Sequence, residues 1–179
     1  LVFALRRDLS WSLAGAYALC QMVGAVLGTT LAHVMFDLPL LHSATQARHG
    51  VGLWIAEMVA SAALVLAILG TARARPDAIP ATVALVIVAG YWFTASTSFA
   101  NPAVTIARAF TDSFSGIRPE DVAAFIIAQL IGAILAFLFS SRLLGWVSAR
   151  QDRAAETHRR GANGQKADGK REAHRPDRP

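Results

Sequence analysis

Charged residues are scarce in this chain of 179 residues, and cysteine is almost absent. Asp, Glu, Lys and Arg make up 16% of the sequence and hydrophobic residues 54%, a balance too apolar for an ordinary water-soluble domain. The single cysteine, Cys20, has no second thiol to pair with. These two scarcities exclude an intramolecular disulfide and argue against a soluble domain.

Four stretches of the chain are nearly free of charge. The stretches 11–36, 51–70, 78–107 and 122–141 contain Glu57 and no other formal charge. A helix needs about 20 apolar residues to cross about 30 Å of hydrocarbon, and each stretch is that long. Buried helices of a soluble bundle would show a polar face at helical spacing, and none of the four does. We predict an all-α membrane protein with spans at about 11–36, 51–70, 78–95 and 121–146.

Basic residues are concentrated at the C-terminal end. Nine of the 17 Lys and Arg follow residue 149, mixed with five acidic residues and no aromatic residue: Arg150, Arg153, Arg159, Arg160, Lys166, Lys170, Arg171, Arg175 and Arg178. Without aromatic residues, this pattern does not indicate a nucleic-acid partner. We predict that 147–179 form a basic, disordered cytoplasmic tail beside the lipid bilayer.

The connectors between the spans predict their orientation. Arg6 and Arg7 precede the first span, and Arg73 and Arg75 lie between the second and the third. The basic tail follows the fourth. Because cytoplasmic loops carry an excess of Lys and Arg, we predict that these three segments face the cytoplasm. Both termini of this chain are then cytoplasmic, in a multi-pass membrane protein.

The sequence contains an internal repeat. The segment AYALCQMVGAVLG (16–28) matches AFIIAQLIGAILA (124–136), and the match aligns Gln21 with Gln129. The predicted orientation makes the two matched helices leave opposite faces of the membrane, which is an inverted-topology repeat. Small residues and one Gln in each copy suit close helix packing with an interhelical hydrogen bond, which we favour over contact with a solute.

The tripeptide Asn-Pro-Ala, at Asn101, Pro102 and Ala103, begins a helix between apolar stretches. Asn caps helices, and Pro suits the first helical turn. Irregular backbone at bilayer depth is tolerated only where protein buries it or where it lines a polar cavity. The stretch 95–100 would turn its carbonyls toward such a cavity and offer acceptors to a solute. The N-terminus of the helix that starts here would disfavour cations.

These features together resemble the major intrinsic protein family of aquaporins and aquaglyceroporins. FANPAVTIARAF followed by a span with AQLIGA is similar to the second half of the family, and the likeness covers residues 1 to about 146. Each half in that family carries one Asn-Pro-Ala on a short half-helix that dips into the membrane, so the resemblance implies a re-entrant loop and half-helix at 96–111. This chain carries one Asn-Pro-Ala in all. The repeat alignment places residues 1–5 just after the other copy. We therefore expect 1–146 to be a partial channel domain without the first two spans and first motif. We also expect residues 1–179 alone to conduct poorly, because half of the central constriction is missing.

The resemblance implies roles for further residues. It implies that Glu57 accepts hydrogen bonds from the re-entrant loop, with Gln21 and Gln129 as packing support. It places Ser98 and Val104 in the selectivity filter, with a contributor from the third span at Ala89, or at Gly90 or Tyr91 if the register slips. Many family members have Arg where this chain has Val104. The resemblance also implies a homo-oligomer, a tetramer.

Arg108 lies one helical turn beyond Val104. We predict that it places in the outer vestibule the charge that relatives carry in the filter. The alternative is that Arg108 reaches the membrane interface or pairs with Asp112, four residues on. His33, His42 and His49 lack ligand-like spacing with an acid, so we predict surface histidines and no metal.

The predicted function is a passive channel, not an enzyme, and it needs no cofactor. The solutes would be small and uncharged: water, glycerol-like polyols or undissociated metalloid hydroxides, because losing the filter Arg widens the pore and makes it less positive. Two alternatives remain open. One is a non-conducting truncated fragment, and the other is a secondary transporter, for which Glu57 alone would have to serve the coupling ion.

Overall fold

The computed structural model describes residues 1–142, and within them every element is helical. The predicted tail 147–179 and the last residues of the fourth predicted span lie outside the described residues. A single 3-10 turn, Pro76–Ala78, precedes α4. The α-helices are α1 (Val2–Leu5), α2 (Trp11–Met35), α3 (Val51–Ala74), α4 (Ile79–Phe93), α5 (Pro102–Arg108) and α6 (Pro119–Arg142).

Four of these helices are long and apolar enough to cross a membrane. They are α2, α3, α6 and the continuous segment Pro76–Phe93, which joins the 3-10 turn to α4. Large apolar side chains cover their outward faces; Trp92, for example, is 88% exposed. The prediction of an all-α fold with four long apolar helices is confirmed for the described residues.

Local sequence explains where two of the helices begin. The Ser10 side chain accepts a hydrogen bond from the Leu13 N–H at 3.3 Å and caps α2. The Asn101 side chain caps α5 in the same way, and Pro102 occupies the first helical position. Both caps satisfy an N–H that a helix start leaves unpaired.

The chain divides into two units, Leu1–Leu138 and Phe139–Pro179. The first unit contains every residue of the candidate site. Its core is a cluster of Phe99, Ala109, Ile117 and Phe125, in which the two phenylalanine rings meet edge to face at 5.3 Å. Phe99 belongs to the loop before α5, so this loop is anchored in the core.

Helices α3 and α6 touch at their backbones. A Cβ added to Gly132 would lie 2.3 Å from the carbonyl oxygen of Met58, so only glycine fits there. Gly24, its counterpart in the repeat, has open space in the same position. The α3–α6 contact brings Glu57 and Gln129 close to each other, which matters for the site.

The loop 37–50 is tied to the segment that follows α5. Ala44 N–H donates to the Ala109 carbonyl at 3.0 Å. Thr45 donates to the Asp112 carboxylate from its N–H at 2.9 Å and from its hydroxyl at 2.8 Å. The bond from the Thr45 N–H, and to a smaller extent the bond from its hydroxyl, hold the pKa of the Asp112 carboxyl below its ordinary value. The two segments are therefore connected to each other directly after the C-terminal end of α5.

Candidate functional site

The loop between α4 and α5 has an unusual backbone. Thr97, Ser98 and Ala100 have φ angles of 62°, 49° and 48°. This left-handed region is uncommon for residues other than glycine, and each such residue costs about 1–3 kcal/mol. We call residues 94–101 the re-entrant loop. Its conformation requires external contacts to hold it.

Glu57 supplies two of those contacts from α3. Its side chain is fully buried, and its carboxylate accepts hydrogen bonds from the N–H groups of Phe99 and Ala100, both at 2.9 Å. The amide of Gln129 on α6 donates to the same carboxylate at 2.7 Å. Three donors thus converge on one buried charge, which is how a carboxylate is tolerated in an apolar interior.

The two aligned glutamines have different surroundings. Gln129 is 2% exposed and also donates to the Thr105 hydroxyl at 2.8 Å, so it links Glu57 to the half-helix. Gln21 is exposed on α2 and borders a cavity of about 430 Å³. Asn101 also borders this cavity, which we call the inner cavity because it lies at the N-terminal end of α5. The structure therefore brings Gln129, and not Gln21, to Glu57.

Several polar groups of the re-entrant loop have no hydrogen-bond partner among residues 1–142. The side-chain oxygen of Asn101 accepts from the Ala103 N–H at 2.8 Å, and its amide NH₂ makes no hydrogen bond within the described part of the chain. Within residues 1–142, most loop carbonyls accept no hydrogen bond, namely those of Ala95, Thr97, Ser98, Phe99 and Ala100. Such groups can exchange hydrogen bonds with a small hydroxylated molecule.

The candidate filter residues, and Arg108 predicted in the outer vestibule, are distributed over two places. Val104 and Arg108 border a second cavity of about 560 Å³ between α2 and α5, which we call the outer cavity. Ser98 is buried against Gly90 of α4, where a Cβ on the glycine would meet the Ser98 hydroxyl at 2.5 Å. Ala89 is exposed on α4 and borders neither cavity.

Arg108 turns toward α4 and the re-entrant loop. It donates to the Tyr91 hydroxyl at 2.7 Å, and its guanidinium carbon lies 4.1 Å from the centre of the Phe99 ring. The alternative ion pair with Asp112 is not formed between these described residues, because the Asp112 carboxylate accepts from Thr45. Arg108 is therefore held by one hydroxyl and by aromatic faces.

Arg48 is a site residue that sequence reasoning missed. It is 7% exposed, and its guanidinium donates to the carbonyls of Gly116 at 2.7 Å, Phe114 at 2.7 Å and Ser96 at 3.2 Å. Burial lowers the pKa of Arg48 below its ordinary value, and the positive charge of Arg108 lowers it further. Arginine stays protonated despite such shifts. Its one sequence signal is that it is the only Lys or Arg in the loop 37–50.

The structure describes three of the five histidines, namely His33, His42 and His49. His33 is 3% exposed, so the prediction that it lies at the surface is wrong. Its Nδ1 bonds to the Leu40 carbonyl at 2.9 Å and its ring lies 5.0 Å from that of His42, while its Nε2 is buried without a hydrogen-bond partner among the described residues. Among residues 1–142, no group of three or more His, Cys, Asp or Glu is placed to hold a metal ion.

Comparison with known proteins gives two matches. The family model described as "MIP: Major intrinsic protein" matches residues 77–168. The chain is 51% identical over 144 residues to the aquaglyceroporin AqpS of Rhizobium meliloti (strain 1021), which covers 80% of this chain. The chain spans 62% of the length of that relative. No solved structure shows a significant match.

Proposed function

The chain belongs to the major intrinsic protein family, and from this membership we propose that it forms a membrane channel that passes small uncharged solutes down their gradient. The re-entrant loop is the observation that carries the proposal. Glu57 accepts hydrogen bonds from two N–H groups of the loop, and Gln129 donates to Glu57. Five carbonyls of the loop and the Asn101 amide have no partner among the described residues. A row of acceptors beside one donor replaces the hydration of a hydroxylated solute, and needs neither a nucleophile nor a cofactor.

The solute class follows from Val104. This residue borders the outer cavity, and it is neutral and shorter than the Arg that many family members carry in this position. A relative is named an aquaglyceroporin. We therefore propose glycerol-like polyols and undissociated metalloid hydroxides as solutes, in addition to water. We also propose cytoplasmic termini, from the basic connectors, and a homo-oligomer, from family membership.

The first prediction tests conduction itself. Proteoliposomes that contain the full-length protein are expected to take up glycerol faster than protein-free vesicles, because the polar loop replaces the solute's hydration within the bilayer. Stopped-flow light scattering after an osmotic step measures this flux. Flux equal to that of the empty vesicles would contradict the proposal.

The same vesicles distinguish a channel from a secondary transporter. A passive channel shows glycerol flux that is independent of Na⁺ and proton gradients, whereas a coupled transporter needs a coupling-ion site. Glu57 is the one acidic residue in the charge-poor stretches, and its carboxylate already accepts three hydrogen bonds. Glycerol accumulation against its gradient would favour the transporter.

A second prediction concerns the charge of Arg108 in the outer cavity. Arg108→Ala is expected to leave glycerol flux nearly intact and to raise cation leak by about fivefold, since a unit charge at 4 Å in water raises a cation's energy by about 1 kcal/mol. Fluorescent dyes for K⁺ measure the leak. Tyr91→Phe is the control, because it removes the hydrogen bond to Arg108 and keeps its charge. Unchanged leak in Arg108→Ala would make Arg108 an interfacial anchor only.

A further inference from the structure

Arg48 lies in the loop 37–50, yet its guanidinium reaches the re-entrant loop. We propose that Arg48 is a positioning residue of the filter, which fixes the re-entrant loop and, through Phe99, the side chain of Arg108. The proposal rests on the proposed channel function. It assigns to the loop between α2 and α3 a part in solute selection, although no residue of that loop was predicted to take one.

The first argument is the geometry of the three hydrogen bonds. The guanidinium joins Ser96 in the re-entrant loop to Phe114 and Gly116 in the segment before α6. The carbonyl of Ser96 is the one loop carbonyl at 95–100 that accepts a hydrogen bond within the described residues. A planar fork with five N–H donors can satisfy three carbonyls at once, and a lysine ammonium cannot reproduce that arrangement.

The second argument concerns charge. Within the described residues, the Arg48 guanidinium contacts three carbonyls and one aromatic ring. The Asp121 carboxylate accepts from the Arg48 backbone N–H at 2.7 Å, not from the guanidinium. Arg48 is thus not retained as half of a buried ion pair. Burial of a charge is costly unless its hydrogen bonds are made, so this side chain is fixed in one conformation.

The third argument links Arg48, through Phe99, to Arg108 beside the filter. The Phe99 ring lies 4.9 Å from the guanidinium carbon of Arg48 and 4.1 Å from that of Arg108. Its N–H is fixed by Glu57 from the other side. Each of the two guanidinium groups is attracted to the shared ring and repelled by the other. A shift of Arg48 therefore changes the energy of the contact between Arg108 and the ring.

The test is Arg48→Lys, which keeps the charge and loses the fork. The protein is reconstituted in liposomes, and the ratio of glycerol to water permeability is measured. A general loss of folded protein lowers both permeabilities together, so the ratio changes only when the filter changes. Arg75→Lys is the control, because the Arg75 side chain is 75% exposed in the connector before α4 and its guanidinium lies 3.8 Å from the Asp77 carboxylate instead of at the re-entrant loop.

A second measurement follows the loop directly. Ser98→Cys, made in a Cys20→Ser background, places one thiol in the re-entrant loop at a position that is 3% exposed. In detergent, Arg48→Lys is expected to make this thiol react with a maleimide about 10- to 100-fold faster, because lost hydrogen bonds to a charged group favour local opening. Arg75→Lys is expected to leave the rate unchanged.

The outcomes separate this inference from the function on which it rests. Absence of flux in the wild-type protein contradicts the channel itself. If the wild type conducts and Arg48→Lys changes both the permeability ratio and the thiol reactivity, Arg48 positions the filter. Wild-type values of either quantity in Arg48→Lys would overturn the inference, because charge alone would then suffice.

Discussion

Glu57→Ala is expected to abolish glycerol and water flux and to lower the free energy of unfolding. The substitution leaves the N–H groups of Phe99 and Ala100 without their acceptor in a buried place. Each stranded donor costs about 1–3 kcal/mol, so the pair costs about 2–6 kcal/mol. Thermal unfolding of the purified protein in detergent measures the stability, and stopped-flow scattering measures the flux.

Two variants sharpen the Glu57 experiment. Glu57→Gln preserves the side-chain volume but replaces one acceptor oxygen by a donor, so an intermediate loss is expected. Glu120→Ala removes a carboxylate whose side chain is 76% exposed, and it is expected to change neither the stability nor the flux. Wild-type melting temperature together with wild-type flux in Glu57→Ala would show that the re-entrant loop does not depend on this carboxylate.

Val104→Arg is expected to reduce glycerol flux far more than water flux. Val104 borders the outer cavity one turn before Arg108, so a long side chain there narrows the cavity and adds a second charge on the same helix face. We expect the ratio of glycerol to water permeability to fall by about tenfold, a typical discrimination for a change in pocket size. The measurement uses the same osmotic assay with both solutes.

Val104→Leu separates bulk from charge in this experiment. Leucine adds one methylene and no charge, so it is expected to lower glycerol flux modestly and to leave cation leak unchanged. If Val104→Arg conducts glycerol as well as the wild type does, the outer cavity is not the narrow point of the path, and selection occurs elsewhere.

The sequence was sufficient for the helices and for part of the site. Charge-free length predicts α2, α3 and α6, since apolar length is a property of consecutive residues. Glu57 could be singled out because a lone charge in such a stretch needs partners. The Asn101 cap and the Pro102 helix start follow from local chemistry, which acts within one turn.

Contacts between distant segments could not be predicted in this way. Arg48 binds carbonyls that lie 48 to 68 residues away, and a backbone carbonyl has no signature in the sequence. His33 is buried for the same reason, because its partner is a carbonyl. On α4, Gly90 packs against Ser98 whereas the neighbouring Ala89 is exposed. One residue turns the helix by about 100°, and hydropathy does not fix which of the two faces the loop.

The hydrogen bonds of the re-entrant loop also determine the order in which the protein can assemble. In hydrocarbon, the N–H groups of Phe99 and Ala100 cannot remain unpaired, and their acceptor on α3 is itself oriented by Gln129 on α6. Helices insert individually before they associate. We therefore expect the loop to leave the aqueous surface after α6 has reached α3, which makes its entry into the membrane a late step in biogenesis.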